Sequence, residues 1–305
     1  MKQHSLRIVY MGTPDFAVAG LRALVENGHQ VVAVVTMPDK RSGRGHQMQF
    51  SPVKQYALSV GLPVLQPERL KDEAFLDELR SYHADLQIVT AFRMLPEVVW
   101  SMPRLGTFNL HASLLPQYRG AAPINWAIIH GDTETGCTTF FLKHAIDTGD
   151  MILQERLPIG ADEDAGSLHD RLMAMSENLT LRTVERIEQC DAHGTAVPVT
   201  PQPEAEDLRP APKLFKENTR IDFTQTAEQI RNFVRGLSPY PSAWCALDIC
   251  GQHFEAVKVF RVRAGEGLIS LPCADGVVSI EELQLPGKKR MDAKSLLNGL
   301  RNNTH

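Results

Sequence analysis

Apolar residues along the first two thirds of the chain fall into two patterns, compact runs and helical stripes. Residues 6–11 (Leu-Arg-Ile-Val-Tyr-Met) and 31–36 (Val-Val-Ala-Val-Val-Thr) are compact runs of the kind that a strand covered on both faces needs. Between them Gly12-Thr13-Pro14-Asp15 predicts a turn, with Asp15 placed to cap a helix ending near Asn27-Gly28. Strand, helix and strand in this rhythm require a right-handed crossover and a parallel sheet. The pattern goes on to predict a short strand at 63–65, a helix at 73–82, and strands at 86–91 and 107–111 with a short helix at 95–100 between them. A helix follows at 123–130. Strands at 138–143 and 151–158 flank an Asp147-Thr148-Gly149-Asp150 turn. From 167 to 188, Leu168, Leu172, Met175, Leu179 and Ile187 mark one face of a long amphipathic helix.

The pattern changes at 190–212, where Pro198, Pro201, Pro203, Pro210 and Pro212 predict an extended linker. One helix, at 227–237, comes next. Short strands at 242–249, 255–262, 268–271 and 277–285 then alternate with glycine turns, as in a small barrel, and a helix at 293–300 closes the chain. With 305 residues, two domains are expected: 1–189, a linker at 190–209, and 210–305.

Composition changes this picture little. Apolar residues at 43% and charged residues at 22% suit a globular protein, and no apolar run nears the roughly 20 residues that span a bilayer. The first ten residues lack the apolar core of an export signal, so a cytoplasmic location is expected. Five cysteines at irregular spacing match no zinc pattern and read as free thiols. Charge is uneven. From Arg209 onward there are 14 Lys+Arg against 10 Asp+Glu, leaving 18 against 26 before it. A basic C-terminal third hints at a polyanionic partner, with a solvated surface as the plainer reading.

The chemistry concentrates between 108 and 150. Asn109 and His111 are two apart, so on a strand they share a face. An amide and an imidazole there can stabilise an oxyanion and move a proton, the needs of acyl transfer to an amine. Asp147, 36 residues on, can raise the pKa of His111 by its charge or accept a proton through water; by residue chemistry alone, reading its segment as merely a turn is the stronger choice. The apolar loops at 113–116 and 91–96 offer a greasy wall with backbone polar groups for a flat heterocycle. Lys40-Arg41-Ser42-Gly43-Arg44-Gly45 reads as a flexible basic loop for phosphate or RNA, or as solvated charge. Lys288-Lys289-Arg290, with Lys213, Lys216, Arg231 and Arg235, reads as a patch that tracks a nucleic-acid backbone, or again as solvated charge. Gly12-Thr-Pro-Asp is neither a dinucleotide fingerprint nor a Walker loop.

At these residues the chain resembles the methionyl-tRNA formyltransferase family from end to end. The resemblance is carried by Met11-Gly-Thr-Pro-Asp-Phe16, Pro38-Asp39 with Gly43-Arg44-Gly45, and Asn109-Leu-His-Ala-Ser-Leu-Leu-Pro116. It continues through Arg119-Gly-Ala-Ala-Pro-Ile124, Asp147-Thr-Gly-Asp-Met151, Pro239-Tyr240-Pro241 and Gly287-Lys-Lys289. It implies an α/β, Rossmann-like doubly wound sheet of formyltransferase fold, a linker, and a C-terminal OB-like β-barrel domain. It implies catalysis by Asn109, His111 and Asp147. It implies folate binding at Ser113, Leu114, Leu115 and Pro116, beside Phe92, Met94 and Leu95. Binding of tRNA would fall to Lys40, Arg41 and Arg44 of the 38–49 loop, and to Lys213, Lys216, Lys288, Lys289 and Arg290. The implied reaction moves the formyl group of 10-formyltetrahydrofolate, a co-substrate, to the α-amine of methionyl initiator tRNA for translation initiation, without a metal. A monomer with no membrane partner is expected. The chain departs from the family pattern at Ala91-Phe-Arg-Met-Leu-Pro96, one residue shorter than usual, at Ile124-Asn125-Trp126 and at Pro239-Tyr240. The rival readings are a folate-dependent formyltransferase for a sugar-nucleotide or purine-precursor amine, a non-catalytic RNA-binding protein, and a nicotinamide-dependent oxidoreductase.

Overall fold

The computed structural model describes residues 5–42, 47–204 and 206–302. Arg44 lies outside the described residues. The chain forms two compact units. The first is assembled from Met1–Arg119, Gly136–Arg156 and Asp170–Arg209, the second from Gly120–Thr135, Leu157–His169 and Pro210–His305. The expected boundary at 209/210 is where the first unit's last segment ends. Two stretches expected inside the first domain pack in the second unit instead, and the expected linker packs in the first.

In chain order the elements are β1 (Arg7–Gly12), α1 (Asp15–Glu26), β2 (Gln30–Val35), β3 (Lys40–Ser42), β4 (Gln47–Gln49), α2 (Pro52–Ser59) and β5 (Val64–Leu65). Then come α3 (Glu73–Ser81), β6 (Leu86–Thr90), α4 (Glu97–Trp100), β7 (Thr107–His111), α5 (Pro123–Ile129), β8 (Glu134–Phe141), β9 (Met151–Pro158) and α6 (Ala165–Ala192). Among the described residues a sheet of seven strands runs β5-β2-β1-β6-β7-β8-β9. β5, β2, β1, β6 and β7 are parallel, and β8 is antiparallel to β7. The strand order reverses direction at β1, the place where ligands bind in doubly wound sheets.

Alternation along the strands sorts the core into two layers. Ile8, Tyr10, Ile88 and Phe108 pack with Leu21 and Leu24 of α1, Val53 of α2 and Val184 and Ile187 of α6. Val9, Met11 and Val89 pack with Phe75 and Leu79 of α3 and Val99 of α4. Helices on both faces explain why these strands are apolar without interruption. Gly12 is required at the first turn, because a Cβ there would stand 2.5 Å from the Ala17 Cβ. The cap differs from the expectation. Pro14 is the N-cap, and Asp15 is the first helical residue, its Oδ1 accepting from the Phe16 N–H at 2.9 Å.

The second unit carries a 3-10 turn (Lys216–Thr219), α7 (Ala227–Leu237), β10 (Ala243–Ile249), β11 (Gln252–Ala264), β12 (Ser270–Cys273), β13 (Gly276–Gln284), β14 (Met291–Asp292) and α8 (Ala293–Asn302). Thr226 and Gln229 close a capping box at the start of α7. The strands form an antiparallel sheet, β10-β11-β13-β12 with β14 on β13, curled into an OB-like half-barrel. Register shifts in β10, at Cys245/Leu247, and in β11, at Val259/Arg261, give it curvature. Ile230, Val234 and Leu237 of α7 seal its core of Val257, Val259, Val278 and Ile280. α5 belongs here because it packs on α7 and its Ile129 joins this core.

Candidate active site

β7 carries two of the three expected catalytic residues. Its register against β6 pairs Ile88 with Phe108 and Val89 with Asn109. Phe108 therefore enters the layer of Ile88, while Asn109 and His111 belong to the face of Val9, Met11 and Val89. That face also holds Leu95, with Phe92 and Trp100 partly buried against it. An amide and an imidazole thus share a face with the apolar 91–96 loop.

The Asn109 amide oxygen, Oδ1, is buried and has no hydrogen-bond partner among the described residues. An unpaired buried acceptor costs on the order of 1–3 kcal/mol, a deficit that a bound ligand removes. His111 is 7% exposed, and its Nε2 lies 2.8 Å from the Tyr118 carbonyl oxygen. Nε2–H therefore donates to that carbonyl, and Nδ1 is the ring atom available to exchange a proton. Tyr118 is itself held by Arg209: its N–H donates to the Arg209 carbonyl at 2.7 Å, and its ring oxygen accepts from the guanidinium at 3.3 Å.

The expected folate-binding residues divide by environment. The Ser113 hydroxyl donates to the Gln117 carbonyl at 2.7 Å. The Leu115 N–H donates to Thr138 Oγ1 at 3.2 Å, and its carbonyl accepts from Gln154 Nε2 at 3.0 Å. Ser113, Leu115 and Leu95 are buried; Leu114, Pro116 and Phe92 are half-buried; Met94 is 74% exposed.

Asp147 stands in the β8–β9 turn at φ +54°, a left-handed conformation that few non-glycine residues adopt. Ala91 (φ +47°) and Tyr118 (φ +61°) share it. His83, Ser242 and Cys250, outside these loops, adopt it as well. Two side chains tie the Asp147 turn down. The His144 ring meets Trp100 of α4 edge-on at 5.5 Å, and its Nε2 lies 3.3 Å from Glu97 Oε1. The Gln202 Nε2 donates to the carbonyls of Asp147 (2.8 Å) and Gly149 (2.9 Å), while its Oε1 accepts from Arg119 Nε (3.1 Å) and Nη2 (2.6 Å). Tyr118, Gln202 and His144 have no role in the expected site. Gln202, flanked by Pro201 and Pro203, reads in sequence as linker.

The expected tRNA cations also divide. Lys40 and Arg41 lie in the backbone of β3. Lys213 stands over the Phe215 ring at 5.4 Å, and Lys216 and Arg220 over the Trp244 ring at 5.4 and 5.6 Å. Lys288 and Lys289 are exposed. Arg290 is committed elsewhere: both Nε and Nη2 bind the Glu282 carboxylate at 2.7 Å, and its guanidinium stacks 4.3 Å from the Phe260 ring. That bidentate contact holds the Glu282 carboxyl below its ordinary range. Arg231 binds Asp162, and Arg235 donates to the Glu163 carbonyl at 2.8 Å, so both serve the fold of the second unit. Among the described residues no group of three His, Cys, Asp or Glu stands close enough to hold a metal ion.

Known proteins agree with this architecture. Residues 6–184 match the formyl transferase family model, and residues 213–301 match the formyl transferase C-terminal domain. The methionyl-tRNA formyltransferase of Bacteroides thetaiotaomicron is 56% identical over 318 residues, covering 99% of this chain and 98% of its own. Among solved structures, WlaRD, a sugar 3N-formyl transferase solved in the presence of dTDP and 5-N-formyl-THF, aligns over 94% of this chain and 100% of its own (TM-score 0.65, 18% identity). HypX from Aquifex aeolicus, in complex with tetrahydrofolic acid, aligns over 96% of this chain and 47% of its own (TM-score 0.64, 19% identity). Identity this high over nearly the whole length, on the sheet and half-barrel described above, means that the chain belongs to the methionyl-tRNA formyltransferase family.

Proposed function

We propose that this chain transfers the formyl group of 10-formyltetrahydrofolate to the α-amine of methionyl initiator tRNA. Family membership supports the reaction, and one observation supports the site: an unpaired, buried Asn109 oxygen on the face that holds His111, Phe92 and Leu95. Formyl transfer forms a carbon–nitrogen bond to the amine through a tetrahedral oxyanion, which collapses by breaking the formyl carbon–N10 bond; the proton lost by the amine is balanced by the one that the departing N10 of tetrahydrofolate takes up. Asn109 Nδ2 donates to the oxygen that becomes negative, and Oδ1 accepts an N–H of the incoming neutral amine. His111, its Nε2–H engaged by Tyr118, acts through Nδ1 and, as imidazolium, donates to the same oxyanion. Asp147 receives the amine proton through a water and orients His111. Aligned donors of this kind are worth on the order of 10²–10³ in kcat each. Phe92, Leu95 and exposed Met94 supply the apolar wall for the flat ring of the folate, which is consumed as a co-substrate.

Cations stacked on Phe215 and Trp244 suit a partner that carries both phosphates and bases, which supports tRNA docking on the second unit. No helix among the described residues is long and apolar enough to cross a membrane. The test is single-turnover formylation of charged initiator tRNA, wild type beside Asn109→Ala and His111→Ala. We expect formyl-methionine from wild type and a loss of at least about 10²-fold in each variant with the fold intact. Near-normal turnover in both variants overturns the site. Formylation of a small amine but not of the tRNA overturns the acceptor.

A further inference from the structure

We infer that Gln202, in the proline-rich segment after α6, is a positioning residue for the reaction, holding the Asp147 turn in register with the segment that seats His111. The inference rests on the catalytic reading of Asp147. Gln202 uses its whole amide. Its two N–H bonds go to the Asp147 and Gly149 carbonyls, and its oxygen takes both Arg119 donors. Arg119 follows Tyr118, whose carbonyl fixes His111 Nε2. A single amide therefore joins the backbone of the proton acceptor to the backbone that orients the imidazole.

The segment is built to hold that amide still. Thr200 exchanges both backbone hydrogen bonds with Met151, each 2.8 Å, and so sets the register beside the turn. Pro201 and Pro203 restrict the backbone on either side of Gln202. At the far end, Arg209 grips Tyr118. The turn needs such a clamp. Asp147 sits at φ +54°, a conformation that persists only when its surroundings over-determine it. Gly149 is wedged so tightly against the Phe141 carbonyl that no Cβ fits there. A stretch that composition marks as a spacer thereby acts as a strap on the reaction centre.

The test compares the full-length protein with Gln202→Leu, Gln202→Glu, Asp147→Asn and the double variant Asp147→Asn/Gln202→Leu. Gln202→Leu keeps the volume and removes both functions of the amide. Gln202→Glu keeps the acceptor for Arg119 and loses the two N–H donors. We expect each to lower kcat by on the order of tenfold or more, with KM for the tRNA unchanged, since small displacements of a reacting group are this costly. The pH profile of kcat should shift in Gln202→Leu, because the carboxylate that takes the proton has moved. A residue that merely stabilised the fold would lower the thermal midpoint and leave the profile in place. The double variant should be no slower than Asp147→Asn, since both act through one turn. Wild-type kcat and pH profile in Gln202→Leu overturn the inference while Asp147→Asn is inactive. Full activity in Asp147→Asn instead overturns the reading of Asp147 on which it rests.

Discussion

In the proposed reaction Asn109 serves chemistry rather than stability. Its oxygen is buried and has no hydrogen-bond partner among the described residues, an acceptor that a bound ligand or a water satisfies. Asn109→Leu should therefore lose formylation by at least about 10²-fold while its thermal midpoint stays level or rises. Calorimetry alongside activity checks this, and a drop of several degrees would show that the amide supports the fold. The spacing of Asn109 and His111 was legible, because a strand puts residues two apart on one face. Tyr118 was not. It works through a backbone carbonyl and a left-handed φ, and neither is tied to the identity of its side chain.

Among the elements, the hairpin of β3 and β4 departs furthest from expectation. The 40–49 stretch has no apolar alternation and reads as a loose loop. Among the described residues, pairing of Lys40 with Gln49 and Arg41 with Met48 makes its two ends a ladder instead. Its base is tied by Lys54 Nζ, which binds Asp39 Oδ2 at 2.5 Å and Gln66 Oε1 at 2.7 Å, while Gln66 Nε2 binds Asp39 Oδ1 at 2.8 Å. The Lys54 hydrogen bond, and then that of Gln66, hold the Asp39 carboxyl below its ordinary 3.8. A lowered pKa means that the clamp contributes stability above the ordinary value and loses it as pH falls through the folded-state value. Amide exchange in α2 should thus be slower in wild type than in Asp39→Asn at pH 7, and the two should converge as pH falls through the lowered folded-state value of Asp39. A gap that persists unchanged in acid would mean that ionised Asp39 is not what holds the hairpin base. β8 begins four residues before the expected 138, and β11 and α6 run longer than expected at both ends. β7, β9 and α7 begin and end where alternation and the helical stripe place them.

For the molecule as a whole, the decisive feature is that the two units are not successive stretches of chain. Gly120–Thr135 and Leu157–His169 leave the first unit to pack in the second. A fragment ending at Arg209 keeps α5 but lacks α7, and so exposes the face of α5 that carries Ile129, which packs against the second unit's core in the full chain. We expect such a fragment to aggregate or bind a hydrophobic dye, whereas the full chain does neither. A soluble 1–209 piece with one cooperative melting transition would refute this partition. The sequence by itself determined the doubly wound sheet, the half-barrel and the family. Those rest on local periodicity, turn residues and motifs, each of which a short window contains. It also placed Asn109 and His111 on one face of a strand. Only the tertiary structure decided that Arg290 serves a Glu282 pair, that α5 joins the second unit, and that Gln202 reaches the Asp147 turn. The physical reason is common to all three. A side chain's partner is set by which distant segment folds against it, and neither charge nor hydropathy at one position records the neighbour it will meet.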